Sequence, residues 1–247
     1  MTEAVLTTTG IRFSYGRRQV LEQVDLEVRR GQVYGFLGRN GAGKTTTLQI
    51  LLGILVPRGG TIAFAGHTVG RTTPSMKQRI GYVSQHQHFY SWMTGRRLGR
   101  FVAGFYPRWD QKGFDRWLDA LQIDGRQRVG TLSGGTKMKL AMALALATRP
   151  EILILDEPTA GVDPIARAEI LGLMRRAVDE EGQTVLFSTH NIHEVEEIAD
   201  VVGVLHRGAL AYQGPLDDFV DHVRTTTGDA LPDANLEQAF IRLVADL

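Results

Sequence analysis

Apolar residues along the 247-residue chain fall into short runs separated by glycine, proline and charge, and the period of the runs changes as the chain proceeds. Near the start, Val24, Leu26 and Val28 alternate with polar neighbours before an RRGQ turn, a pattern that predicts short strands and an antiparallel β layer. Val33 to Leu37 (VYGFL) is a continuous apolar run bounded by glycines, which predicts a buried strand, and Thr45 to Leu52 (TTTLQILL) has helical apolar spacing. After a PRGG turn, TIAFAG predicts another strand, leading to IGYVSQ at Ile80 to Gln85. From Thr94 to Ile123 the pattern is helical without strand signal, and Phe101, Phe105, Trp117, Leu118 and Leu121 are expected to pack inward. Strand and helix signals then alternate: Ile152 to Leu155, a helix from Pro164, Thr184 to Ser188, a helix from Asn191, and Val201 to Leu205. That alternation predicts an α/β fold with a mostly parallel sheet. A hairpin around HRGA, a short helix near Asp217 and an amphipathic LEQAFIRLV segment close the chain, with the polar TTTGDALPDA stretch as a linker.

Composition narrows the class. A formal net charge of +1, from 28 basic and 27 acidic residues with no long run of either sign, argues against extended nucleic-acid binding and against attraction to a membrane by charge. With 43% hydrophobic residues the chain can bury a core of its own, as one large α/β domain or one domain with a helical subdomain. The absence of cysteine excludes disulfides, zinc knuckles and thiol catalysis, and permits a reducing compartment. No secretory signal is expected, because MTEAVLTTTG lacks a basic start followed by an apolar stretch. LAMALALAT at Leu140 to Thr148 is far short of the roughly 20 residues that span a bilayer, so a soluble chain is expected.

The chemistry begins at GRNGAGKTT, Gly38 to Thr46. Gly38, Gly41 and Gly43 stand where missing Cβ atoms let the backbone N–H groups of Arg39, Asn40, Ala42 and their neighbours curl around phosphates. Lys44 offers a point charge to the β and γ phosphates, Thr45 a hydroxyl to Mg²⁺, and Thr46 a donor from the first helical turn. The loop lies between a predicted strand and a predicted helix whose N-terminus faces the anion, which argues against a glycine-rich turn that matches by chance. Farther on, ILILDE is a strand ending in two carboxylates, and alternation along a strand points Asp156 and Glu157 in different directions. Asp156 suits the Mg²⁺ shell and Glu157 the polarisation of an attacking water, with a helix-capping or loop carboxylate as the plain alternative for Glu157. His190, after the apolar run in FSTH, is placed to hydrogen-bond the γ-phosphate and hold Glu157 and the water in line, or else caps the sheet edge.

These motifs, in this order and together with LSGG at Leu132 to Gly135, resemble the nucleotide-binding domain of ATP-binding cassette (ABC) transporters over nearly the whole chain. The resemblance implies a P-loop NTPase fold, residues 1–247 as one ATPase domain, with an N-terminal antiparallel β layer, a helical signature subdomain at about 86–150 and a C-terminal tail at about 223–247. It implies that Ser133, Gly134 and Gly135 touch the γ-phosphate held by an opposite subunit, that Asp163 in AGVD belongs to the loop crossing the dimer seam, and that Gln85 contacts Mg²⁺. Asp163 is equally an N-cap for the helix from Pro164, and Ser133 by itself reads as a capping residue. Tyr15 in FSYG matches the aromatic position that stacks on adenine; core packing is its alternative. His86 and His88 have no third ligand nearby, and no structural metal is assigned.

Three positions depart from the family pattern: Thr136 replaces the glutamine usual after LSGG, Arg39 the frequent proline, and Val162 the leucine of the seam loop. FYPRWD at Phe105 to Asp110 and the closing LEQAF look like the exporter-type branch called ABC-2, although FYPRWD also fits helix-end packing. The function implied is a subunit that dimerises on two ATP molecules, hydrolyses them with Mg²⁺, and drives a separate membrane permease from its cytoplasmic face, the partner cassette being identical or different. Residues His86 to Trp109 are expected to form the groove receiving a permease helix. A soluble ABC-type regulator is the alternative; such proteins ordinarily carry a second cassette, a coiled-coil insertion or zinc cysteines, which are missing here. A small P-loop kinase has no use for LSGG.

Overall fold

The structure is a computed structural model and describes residues 3–69, 73–227 and 235–245. The chain opens with antiparallel strands β1 (Ala4–Tyr15), β2 (Arg18–Val24) and β3 (Glu27–Arg29). Then come β4 (Val33–Leu37), α1 (Lys44–Leu51), β5 (Gly59–Phe64), β6 (His67–Val69), α2 (Pro74–Lys77) and β7 (Ile80–Val83). Helices α3 (Gly95–Ala103), α4 (Gln111–Ala120) and α5 (Gly134–Ala147) follow. The rest alternates: β8 (Ile152–Asp156), α6 (Pro164–Asp179), β9 (Thr184–Thr189), α7 (Ile192–Ile198), β10 (Val201–His206), β11 (Ala209–Pro215), then α8 (Phe219–Thr227) and α9 (Leu236–Ala245).

The strands form an 11-stranded sheet in the order β6-β5-β1-β2-β11-β10-β4-β9-β8-β7, with β3 on β1. From β10 to β7 every pairing is parallel, and the β1 layer is antiparallel. Strands β4, β8 and β9 are buried along their whole length, which is why each reads as a continuous apolar run. Their side chains alternate between two cores. Val33, Leu37, Leu153, Leu155, Val185 and Phe187 join the cluster under α5, α6 and α7, while Tyr34, Phe36, Ile152, Ile154 and Leu186 join the cluster under α1 and β1.

The structure refines these expectations and corrects one. Val24, Leu26 and Val28 do not share one strand: β2 ends at Val24 and β3 holds Val28, while β1, hidden in the TTTG stretch, runs for 12 residues. The stretch from Thr94 to Ile123 is two helices, capped separately by Thr94 and Asp110, because Pro107 cannot continue a helix interior. Trp117, Leu118 and Leu121 are buried as expected, but Phe101 and Phe105 are 44% and 65% exposed. They belong instead to a surface chain of rings, Trp92 to Tyr90 at 6.0 Å, Tyr90 to Phe101 at 5.8 Å and Phe101 to Phe105 at 5.3 Å. Most of the expected linker, residues 228–234, lies outside the described residues. Among the described residues no helix is long and apolar enough to cross a membrane.

Candidate functional site

The carboxyl ends of the parallel strands converge on one cleft, the position where open α/β sheets bind ligands. The loop after β4 supplies the floor. Gly41 and Gly43 have φ of +83° and +111°, the left-handed region that favours glycine, and Gly43 is the N-cap of α1. Gly38 is needed for space: a Cβ there would lie 2.7 Å from the carbonyl oxygen of Leu205. Lys44 is buried in the first turn of α1, its Nζ donating to the Gly38 carbonyl at 2.7 Å. Tyr15, Arg18, Asn40, Gly41, Lys44, Thr45, Thr46, Gln85 and Glu157 line a cleft of about 490 Å³.

The two carboxylates at the end of β8 separate as anticipated, but through a backbone turn and not through strand alternation. Asp156 is the last strand residue, and Glu157 adopts φ +47° beyond it. Asp156 Oδ1 accepts from Thr45 Oγ1 at 3.1 Å and from Ser188 Oγ at 2.7 Å. Ser188, fully buried on β9, also accepts the Glu157 N–H at 3.0 Å, so one hydroxyl anchors both acidic residues. Glu157 Oε1 lies 3.0 Å from Lys44 Nζ, and Oε2 lies 2.7 Å from His190 Nδ1. The field of Asp156 is felt across the sheet: burial first and the Asp156 charge second push the Tyr82 hydroxyl up to about 12. Beside the loop, His206 is held below its ordinary value by burial, then by Arg207 and Arg39.

Hydroxyl and carboxylate oxygens at Thr45 and Asp156, 3.1 Å apart, are the hard donors that Mg²⁺ takes alongside phosphate oxygens and water. Among the described residues no group of three or more His, Cys, Asp or Glu converges as a metal cage, so a cation here would depend on those oxygens and on the nucleotide.

The LSGG segment lies apart from this cleft. Ser133 is exposed and caps α5, accepting the Thr136 N–H at 3.1 Å, with the Thr136 hydroxyl 2.9 Å away. Gly135 is buried against α6, where a Cβ would sit 2.9 Å from Ala166 Cβ. Asp163 caps α6, accepting from the Ile165 and Ala166 N–H groups at 3.0 Å each. The exposed side chain of Arg39 and the exposed His86 and His88 do not join the cleft lining. Ser188 was missed in the sequence because a lone serine inside an apolar run carries no pattern. Glu194, a buried carboxylate under the His190 loop, was missed because it sits in an ordinary helical register.

Residues 21–160 match the family described as ABC transporter. The chain belongs to the ATP-binding subunits of ABC transporters. It is 35% identical over 246 residues to a bacitracin transport ATP-binding protein of Bacillus licheniformis, an alignment covering 96% of this chain and 79% of that one. It is 34% identical to a daunorubicin resistance ATP-binding protein of Streptomyces coeruleorubidus, covering 97% and 76%. A solved ATP-binding subunit of an ABC transporter superposes with a TM-score of 0.83 at 28% identity, over 97% of this chain and 99% of the other. The chain is therefore an ATP-binding and ATP-hydrolysing P-loop protein of a transport system.

Proposed function

We propose that Glu157 polarises the water that attacks ATP, with His190 holding its orientation, and the observation that carries this reading is the contact of one buried carboxylate with both Lys44 and His190. Lys44 Nζ lies 3.0 Å from Glu157 Oε1. Phosphates entering the Gly38 to Thr46 loop compete for the Lys44 ammonium, which leaves the carboxylate to accept a proton from water. Adenine stacks on Tyr15, 51% exposed at the cleft. Mg²⁺ would be held by Thr45 and Asp156, with Gln85 at the rim, and would neutralise charge developing on the transferred phosphoryl group.

The reading extends to partners. Ser133, Gly134, Gly135 and Asp163 act in trans on the nucleotide of a second, identical or different cassette, which their position outside the chain's own cleft favours. A closed dimer is favoured by ATP and reopens on hydrolysis. A membrane permease docks on the surface from His86 to Trp109, where Tyr90, Trp92 and Phe101 are exposed and in ring contact. The chain works at the cytoplasmic face of the membrane as a single ATPase domain, with a helical subdomain at about 86–150 and a tail from about 223. Export by an ABC-2-type system is supported by relatives whose names give bacitracin transport and daunorubicin resistance. The test is co-purification with a neighbouring membrane protein in detergent: ATP hydrolysis that rises when the two are combined supports the reading, and a membrane protein with no effect on hydrolysis contradicts it.

A further inference from the structure

A buried carboxylate stands behind the histidine loop, unused by the chemistry above. Glu194, in the first turn of α7, is 4% exposed, and a carboxylate is rarely buried unless paired. Its Oε2 accepts the Thr189 hydroxyl at 2.7 Å, and its Oε1 lies 3.3 Å from Asn191 Nδ2 and 3.4 Å from Arg167 Nε. Thr189 Oγ1 in turn accepts the Asn191 N–H at 3.0 Å, and the Thr189 carbonyl accepts from Gly38 N at 3.2 Å. His190 is thus flanked on both sides by residues that one carboxylate holds.

Arg167 reaches this carboxylate from α6, the helix that begins at Asp163. Its sequence neighbour Ala166 packs against Gly135 of LSGG. Successive residues of one helical turn therefore meet the LSGG segment and the loop that carries His190. The ion pair is close enough for attraction yet looser than an aligned hydrogen bond: Arg167 Nε is buried and has no hydrogen-bond partner among the described residues, and Nη2 is 3.8 Å from Glu197 Oε2.

We propose that Arg167 and Glu194 are positioning residues that make hydrolysis at His190 and Glu157 depend on closure of the dimer seam. The inference rests on the seam and catalytic roles proposed for Asp163, LSGG and His190. A partner pressing on Asp163 and LSGG moves the first turn of α6. Arg167 then closes on Glu194 from 3.4 Å, and Thr189 and Asn191 keep His190 fixed in the 2.7 Å contact it already makes with Glu157. A pair serving stability alone behaves differently: removing one partner leaves the other charge unpaired and lowers stability, but it has no reason to alter cooperativity between sites.

ATP hydrolysis measured against ATP concentration, for wild type, Arg167→Met, Arg167→Lys, Glu194→Gln and the double variant Arg167→Met with Glu194→Gln, tests this. Wild type is expected to respond sigmoidally. Arg167→Met and Glu194→Gln should lower kcat about tenfold with KM changed by no more than about twofold, and their response should become hyperbolic. The double variant should be no worse than the poorer single variant, and Arg167→Lys, which keeps the charge and folds most safely, should recover part of both kcat and sigmoidicity. Losses that multiply in the double variant, or curves whose shape is unchanged, overturn the proposal. Glu157→Gln serves as the control: if it abolishes hydrolysis while the pair variants behave as wild type, the coupling is wrong and the site reading stands; if it hydrolyses normally, the site reading itself is wrong.

Discussion

Replacing Ser188 by alanine removes one hydroxyl from the centre of the site. That hydroxyl donates to Asp156 at 2.7 Å and accepts the Glu157 N–H at 3.0 Å, from a side chain that is 0% exposed. A hydrogen bond to an ionised carboxylate contributes about 1.5–3 kcal/mol. The Glu157 amide keeps the Ser188 carbonyl at 3.2 Å, so its share of the loss is smaller, about 0.5 kcal/mol. The net cost expected is about 2–3.5 kcal/mol, which for a chain of this size lowers the melting temperature by about 4–14 °C. Hydrolysis should fall about tenfold or more, because both carboxylates lose a shared anchor and small misplacements near reacting groups are costly. Calorimetric melting and a phosphate-release assay on the same preparation measure the two effects. A melting temperature within about 1 °C of wild type together with near-normal hydrolysis would refute the reasoning, since the buried hydroxyl would then anchor neither residue.

Lys44→Ala should weaken ATP binding by about 30-fold or more, as expected for deleting one partner of a buried charged contact; titration calorimetry reads it, and unchanged affinity excludes the loop as the phosphate site. Thr136→Val keeps the shape of the side chain but removes the hydroxyl 2.9 Å from Ser133, and should weaken the ATP-dependent dimer by about two- to tenfold in sedimentation experiments. An unaltered dimer would show that Thr136 plays no part in orienting Ser133. The Asp110 carboxyl is held below its ordinary value of 3.8 by the Gly113 N–H and then Arg149, and Glu151 below 4.5 first by hydrogen bonding to Arg79. Depressed folded values mean stability that is present above the ordinary values and lost as pH falls from about 4.5 through the lowered ones, so the melting temperature should decline there, less steeply in Asp110→Asn. Equal slopes for that variant and wild type would contradict the assignment.

What could be read in the sequence was whatever the backbone itself demands. The phosphate loop announced itself because Gly38 excludes a Cβ and Gly41 and Gly43 need positive φ, constraints that leave a spaced signature. Buried strands β4, β8 and β9 were legible for a related reason: with both faces covered, each carries a central apolar run. The two cores, by contrast, could not be separated, since alternating residues in such a run are chemically alike. Phe101 and Phe105 were misplaced because helical spacing shows which residues share a face and says nothing about what covers it. Glu157 and His190 were singled out by their strand-end positions, yet the groups around them, Ser188, Thr189 and Glu194, are common residue types whose contacts exist only in three dimensions. The 12-residue length of β1 was not legible, because Thr7, Thr8 and Thr9 interrupt its apolar positions.

Glu157 stands at the junction of the phosphate loop, the His190 loop and the cleft, and its exchange for glutamine tests the account most directly. The substitution keeps the size of the side chain and removes the charge that faces Lys44 at 3.0 Å and His190 at 2.7 Å. Single-turnover phosphate release with ATP and Mg²⁺, followed alongside size-exclusion chromatography, is the measurement. The account predicts that Glu157→Gln binds ATP, loses at least about 99% of its hydrolytic rate, in line with removal of a general base, and accumulates as an ATP-bound dimer. Phosphate release close to the wild-type rate would contradict it.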